Sequence, residues 1–382
     1  MTNLNTSNLK DLDYSVERTE SGWQITFGDS VIADQDYQLH CERLAGRELG
    51  KAISLQHMLA SDGRSASVSY EALQALSGAA VDRYAHPVFT LTADPSESAG
   101  PQVQLRLAAR PIPMSVTANF RDYGGHLTQD GRQVVWGRLF RTGHMGEMSE
   151  ADKQAINQLD IAAVCDFRRQ EEAANQPSQL PEGLEPTSIV ISPGSSIDLF
   201  SAISEEGIQE TTIDAFMQEI NRDLVHSHQA SYRKMFDLLL AHAGQGSIIH
   251  CSAGKDRTGF GGLLVLGALG VDRQSILNDY LLTNQYVDID REIARWTRNY
   301  GDDGRSNADP EHGGLDHGDS KYGQVRTFNR DALAVILRVK ASYLQAAMDA
   351  IDSRYGGLER YLDEQIGLSA EELRALKHHY LY

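Results

Sequence analysis

Three features that would place this 382-residue chain quickly are scarce or missing. It has three cysteines, Cys41, Cys165 and Cys251, odd in number and far apart, so no disulfide framework is suggested. No run approaches the roughly 18 apolar residues a transmembrane helix needs. The polar start, Met-Thr-Asn-Leu-Asn-Thr-Ser-Asn, lacks the charged beginning and apolar core of a signal peptide. The expectation is a cytoplasmic protein, or a secreted one whose leader precedes this numbering. Positive charge is also short. Lysine and arginine total 35 against 53 acidic residues, a formal net charge of -18. That balance argues against general nucleic-acid binding and against attraction to anionic lipid. Any anion site must therefore be a local positive island.

What is present is a soluble composition, 41% hydrophobic and 23% charged, long enough for two or three domains. From about 14 to 110 the pattern reads as all-β. Trp23, Ile25 and Phe27 alternate with polar neighbours, and short runs recur at Tyr37–Cys41, Ala66–Tyr70, Val88–Thr92 and Val103–Ala108. Turn-rich stretches such as 62–65 and 95–101 separate them. This spacing predicts an immunoglobulin-like β-sandwich over residues 1–112, a binding or packing module with no catalytic constellation of its own.

Pro111-Ile-Pro113 marks the expected boundary, since proline cannot continue a central strand. Beyond it strands and helices alternate. Val134–Trp136, Leu139-Phe140, Ile161–Phe167, Thr187–Ile191 and Ser247–His250 read as strands. Met148–Leu159, with Ser149 as N-cap, Thr212–Leu224 and Ala230–Ala243 read as helices. The expected fold over residues 113–382 is an α/β core with a mostly parallel sheet. After Gly259 the pattern is helical. Its longest helix is expected at Asp331–Tyr355, stopped by Gly356-Gly357, and Ser369 to Glu372 has capping-box spacing.

Chemistry concentrates in one stretch, His250-Cys-Ser-Ala-Gly-Lys-Asp-Arg-Thr-Gly259, set between a strand and an apolar helix. A loop running from a cysteine through five residues to an arginine can wrap one tetrahedral oxyanion. The backbone N–H groups of Ser252, Ala253, Gly254, Lys255, Asp256 and Arg257 then form an anion nest, helped by the helix N-terminus. Gly254 allows a backbone geometry that a side chain hinders. Arg257 matches two phosphate oxygens with a planar fork, which lysine cannot do. A free thiol titrates near ~8.5, whereas helix N-termini and nearby cations lower cysteines to roughly 3.5–7.5, so a Cys251 thiolate is the expected nucleophile. It would attack phosphorus to give a phosphocysteine that water hydrolyses. Thr258 can donate its hydroxyl to the sulfur. The bland alternative is a buried inert cysteine beside a chance arginine. Competing phosphate motifs fail: a Walker loop needs Ser or Thr after Gly254-Lys255 and finds Asp256, and Gly259-x-Gly-Gly follows a loop already accounted for.

With His250 before it and Thr258-Gly259 behind, this loop resembles the signature of the protein tyrosine phosphatase superfamily. Three further segments are similar to the bacterial tyrosine phosphatases related to a secreted mycobacterial tyrosine/lipid phosphatase. They are Asn119-Phe-Arg-Asp-Tyr-Gly-Gly125, Gly137-Arg-Leu-Phe-Arg-Thr142, and Val164-Cys-Asp-Phe-Arg-Arg169 followed by Glu171 and Glu172. The resemblance spans about 115–382 and implies phosphotyrosine hydrolysis with no cofactor and no metal. Its substrates would be phosphotyrosyl proteins, phosphorylated small molecules or lipid head groups.

Expelling the ester oxygen needs a general acid. No Trp-Pro-Asp loop exists. Asp256, favoured by the resemblance, and Asp166, at the end of a strand where α/β sites gather, are the two candidates; each could instead be an arginine or lysine partner. Lys255 would add a cation at the loop rim, which in the superfamily often goes with phosphoinositide turnover. Arg121, Arg168 and Arg169 are expected to line the pocket or to pair with Asp122, Glu171 and Glu172. Asp302, Asp303, Asp309, His312, Asp316 and His317 fit no recognised metal spacing and read as a solvated loop or cover, with Tyr286, Tyr300 and Tyr322 as parts of a helical lid. Three readings follow: a protein tyrosine phosphatase, a phosphoinositide phosphatase, or a phosphate-binding module without turnover.

Overall fold

The computed structural model describes residues 14–27, 37–44, 47–55, 58–61, 63–78, 80–93, 104–115, 117–194, 209–300 and 330–382. The 95–101 turn segment and the acidic, histidine-rich stretch with Tyr322 lie outside these residues.

The first part carries two antiparallel sheets. One contains β1 (Ser15–Arg18), β2 (Gly22–Thr26) and β5 (Ser65–Ser69) in the order β1-β2-β5. The other contains β3 (Tyr37–Leu44), β4 (Arg47–Ser54), β6 (Val88–Ala93) and β7 (Gln104–Leu107) in the order β4-β3-β6-β7. Trp23 and Ile25 of the first, with Phe27 just beyond β2, and Leu39, Phe89 and Leu91 of the second share one core. The region is not all-β as expected: a helix spans Tyr70–Ser77. Ser69, at the end of β5, accepts from the Ala72 amide as its N-cap, and Gly78 closes it in the left-handed conformation. The caps had turn-like composition and masked the helix.

The second part is α/β. Its sheet, in the order β11-β10-β12-β9-β8, joins β8 (Arg121–Asp122), β9 (Leu139–Thr142), β10 (Ile161–Asp166), β11 (Pro186–Ser188) and β12 (Gly246–His250). β11, β10, β12 and β9 are parallel and β8 is the antiparallel edge. Every residue of β12 is buried. Side-chain alternation along the strands divides the core between the two faces. Ile248, Val164 and Phe140 lie in one cluster with Met148 and Ile156; Ile249, Cys165 and Leu139 lie in the other, with Phe260, Leu263 and the C-terminal helices. Burial on both faces explains why these strands read as continuous apolar runs.

Helices 150–157, 210–227 and 229–241 fall where the spacing placed them, and Ser149 and Ser369 both form capping boxes. Two expectations are corrected. Val134–Trp136 is not a strand: isolated bridges form at Gln133 and Val134, and the chain then turns through the left-handed Gly137. The helix expected from Asp331 to Tyr355 is two, Arg330–Leu337 and Ala341–Tyr355. The break has a donor and an acceptor: Asn284 accepts from the Val339 amide at 2.9 Å and donates to the Val339 carbonyl at 2.8 Å. Both backbone groups are thereby diverted from the helical ladder. Among the described residues no helix is long and apolar enough to cross a membrane.

Candidate active site

Cys251 follows the central strand β12 and precedes a helix spanning Asp256–Leu269. The 251–255 loop reverses through Gly254 at φ 68°. A Cβ there would lie 2.4 Å from the Thr142 carbonyl oxygen, so the close approach of the loop to β9 requires glycine. The Gly254 carbonyl accepts from Asn119 Nδ2 at 2.8 Å and from Arg141 at 3.1 Å. Asn119 in turn accepts from Arg121 through its Oδ1 and has a left-handed backbone, φ 63°. Behind them Asp279, 2% exposed, binds Arg141 at 2.8 Å and Arg121 at 3.5 Å. Burial raises the Asp279 carboxyl, but the two arginines outweigh it and hold the group ionised. Arg121 is thus fully buried behind the loop, not a lining residue as expected.

Cys251 is 2% exposed. Arg257, on the first turn of the following helix, meets Glu172 bidentately at 2.8 and 3.0 Å. It also donates to the carbonyls of Phe167 and Ile191. Ser252 Oγ donates to the same carboxylate at 2.7 Å. Burial opposes the charge on Glu172, and Arg257 and Ser252 overcome it, keeping the carboxyl well below its ordinary range. Thr258 Oγ1 is buried with no hydrogen-bond partner among the described residues, so the expected bond to Cys251 is not formed in this conformation.

The two carboxylates considered as acids sit differently. Asp166 is 4% exposed and gripped by Arg168 through Nε and Nη2, with the Arg168 amide and His250 also close. Burial pushes this carboxyl up, but His250 and Arg168 bring it below the ordinary value. Asp256 is less enclosed, 3.2 Å from Lys255 Nζ and 3.4 Å from Tyr280 Oη. Lys255 is not at the rim. It is 5% exposed and donates to the Ile336 carbonyl at the end of helix Arg330–Leu337. Arg169 pairs with Glu172 at 3.2 Å, as one alternative had it. Tyr286 lies over Arg121, 5.7 Å from its guanidinium, and nothing is described of the Tyr300 side chain. Among the described residues no cluster of three metal-ligating side chains occurs.

Asn119, Arg141, Glu172 and Asp279 carry roles that residue patterns did not reveal. The first three lie inside the segments that carried the resemblance, which was the available signal. Asp279 had none, since an aspartate beside Asn278 in the mixed helix Arg273–Leu281 reads as surface.

A parallel sheet that delivers a cysteine into a glycine-bent loop at a helix N-terminus, facing a clamped arginine, defines a phosphoric monoester hydrolase. Comparisons with known proteins agree. The chain belongs to the tyrosine phosphatase family, whose model matches residues 112–382. It is 30% identical over 273 residues to a putative tyrosine-protein phosphatase of Cupriavidus necator, covering 69% of this chain and 86% of that one. It is 30% identical over 267 residues to the triple specificity protein phosphatase PtpB of Mycobacterium tuberculosis, covering 64% and 90%. A tyrosine-protein phosphatase of Nostoc commune is 26% identical over 239 residues, covering 62% and 72%. As a member of this family the chain is a protein tyrosine phosphatase.

Proposed function

We propose that hydrolysis runs through Cys251, with Arg257 binding the phosphoryl oxygens and Asp256 as general acid. The observation that carries this is the single loop holding all three, with Arg257 oriented by Glu172. Cys251 Sγ attacks phosphorus, the P–O ester bond breaks, and the leaving oxygen takes the Asp256 proton. Water then attacks the phosphocysteine, Asp256 takes back a proton, the S–P bond breaks and inorganic phosphate leaves. Backbone N–H groups from Ser252 to Arg257 and the helix N-terminus stabilise the equatorial oxygens. Thr258, with a free buried hydroxyl, serves the sulfur as it leaves. Asp166, locked by Arg168, is a poor proton donor and acts by holding Arg168 and His250 behind the loop.

The favoured substrate is a phosphotyrosyl protein. One 30%-identical relative is called a triple specificity phosphatase, which supports a dual or broader specificity. Lys255 gives no support to a phosphoinositide preference, because its ammonium is taken by Ile336 and Asp256. The shared core of the two N-terminal sheets supports reading 1–112 as a β-sandwich module joined to a catalytic domain over 113–382.

Two experiments test this. Turnover of p-nitrophenyl phosphate should vanish in Cys251→Ser and persist with EDTA; retained phosphate binding without wild-type turnover would instead mark a silent binding module. Asp256→Asn should depress an alkyl phosphate about 100-fold and p-nitrophenyl phosphate far less, since a good leaving group needs no proton. Equal losses would remove Asp256 from the acid role. A panel of phosphotyrosyl, phosphoseryl and phosphoinositide substrates sets the specificity.

A further inference from the structure

β8 is two residues long, and its side chains part company. Arg121 enters the buried network that holds the loop through Asn119 and Asp279. Asp122 turns the other way, toward the N-terminal sheets. Its carboxylate, fully buried, accepts from the Gly124 amide at 2.7 Å, the Gly137 amide at 2.5 Å and His86 Nε2 at 2.9 Å. A buried carboxylate needs its donors, so these three contacts fix where Asp122 and hence β8 sit. His86 lies outside the 112–382 family match, just before β6 of the N-terminal sheet, and is 2% exposed. Because a carboxylate only accepts, His86 Nε2 carries the proton; the ring also meets Phe140 of β9 edge-on at 6.1 Å.

We propose that His86 is a positioning residue for the phosphatase reaction: through Asp122 it sets β8, and β8 sets Arg121, which grips Asn119 Oδ1 and so holds the Asn119 amide on the Gly254 carbonyl. The N-terminal module therefore tunes the catalytic loop from behind. This rests on the reading of 251–257 as the reacting loop. Arg257 and Glu172 lie on the other side of that loop and are untouched, so binding of the phosphate dianion should hold while alignment of Cys251 suffers.

The test compares full-length His86→Phe, which keeps a ring against Phe140 but removes the donor, with His86→Gln, whose amide nitrogen can replace Nε2. With p-nitrophenyl phosphate, His86→Phe should lower kcat about 10-fold and change KM less than about twofold, the effect expected of a small misalignment. His86→Gln should restore most of kcat. Alkylation of Cys251 by iodoacetate should slow in His86→Phe and recover in His86→Gln. Wild-type kcat and alkylation in His86→Phe, whatever happens to its melting temperature, would overturn the proposal; so would equal losses in both variants. Should His86→Phe not fold, Asp122→Asn carries the same test with the same expected kcat loss. If wild-type turnover survived Cys251→Ser, the reacting-loop reading would fail, while alkylation would still report separately whether His86 positions the loop.

Discussion

Two residues show how much of the site depends on neighbours distant in sequence. Arg257 and Glu172 are 85 positions apart yet form a bidentate pair, both side chains largely enclosed, at 14% and 13% exposure. The pair does for the guanidinium what packing does for an apolar side chain: it leaves one orientation. Glu172→Gln removes the charge and one acceptor, leaving Arg257 with one amide oxygen and the Phe167 and Ile191 carbonyls. The expected result is a roughly tenfold fall in kcat/KM for p-nitrophenyl phosphate. An unchanged value would mean that neutral acceptors suffice to orient Arg257. The loop with Cys251, Gly254 and Arg257 was legible in the sequence because it lies within ten consecutive residues, 250–259. Glu172 was legible only as a charge near other charges. Nothing local says that it crosses to Arg257 and Ser252 instead of staying with Arg168.

Among the elements, the last helix announced its start in its own residues, whereas the break before Ala341–Tyr355 was decided by a neighbour. Ser369 and Glu372 exchange hydrogen bonds at the start of the last helix, Ala370–Tyr380. Ser369→Ala should cost about 1 kcal/mol in urea unfolding and leave kcat unchanged, since this cap lies away from the loop. A loss below a few tenths would mean that packing of Leu376 and Tyr380 alone holds the helix. The break at 338–340 is the opposite case. Its apolar spacing continues through the gap, and only Asn284, over fifty residues upstream, explains why Val339 leaves the ladder. Helix Tyr70–Ser77 was hidden for a related reason: eight residues between a serine and a glycine resemble a turn until the strand before it is fixed.

At the scale of the whole molecule, the loop sits in a buried set of histidines and arginines. Burial lowers His250 to about 4, and burial together with Arg295 and Arg168 lowers His144 to about 3. Both have an ordinary value of 6.5. Between that value and about 4 the unfolded chain takes up protons that the folded one refuses. Stability is therefore full above pH 6.5 and falls as pH drops below it, by up to about 1.4 kcal/mol per pH unit for each histidine. Urea unfolding at pH 7, 6 and 5 should show this decline; a flat profile would mean that neither histidine stays neutral when folded. The N-terminal sheets share this interior. Arg43 donates to the Trp136 carbonyl, Trp136 to the Arg106 carbonyl, and His86 to Asp122, so the two parts meet through buried polar contacts.

The amino-acid sequence alone determined that this protein carries a cysteine-to-arginine loop between a buried strand and a helix, on an acidic chain with an N-terminal β-rich region. Those properties follow from periodicity and from residues adjacent along the chain. The tertiary structure alone decided that Lys255 turns away under Ile336, that Asp166 is locked while Asp256 is not, that Glu172 and Asp279 hold the loop's arginine partners, and that His86 binds Asp122. The reason is physical: a buried charge is settled by whichever partner satisfies it, and in a fold with parallel crossovers that partner arrives from a distant part of the chain.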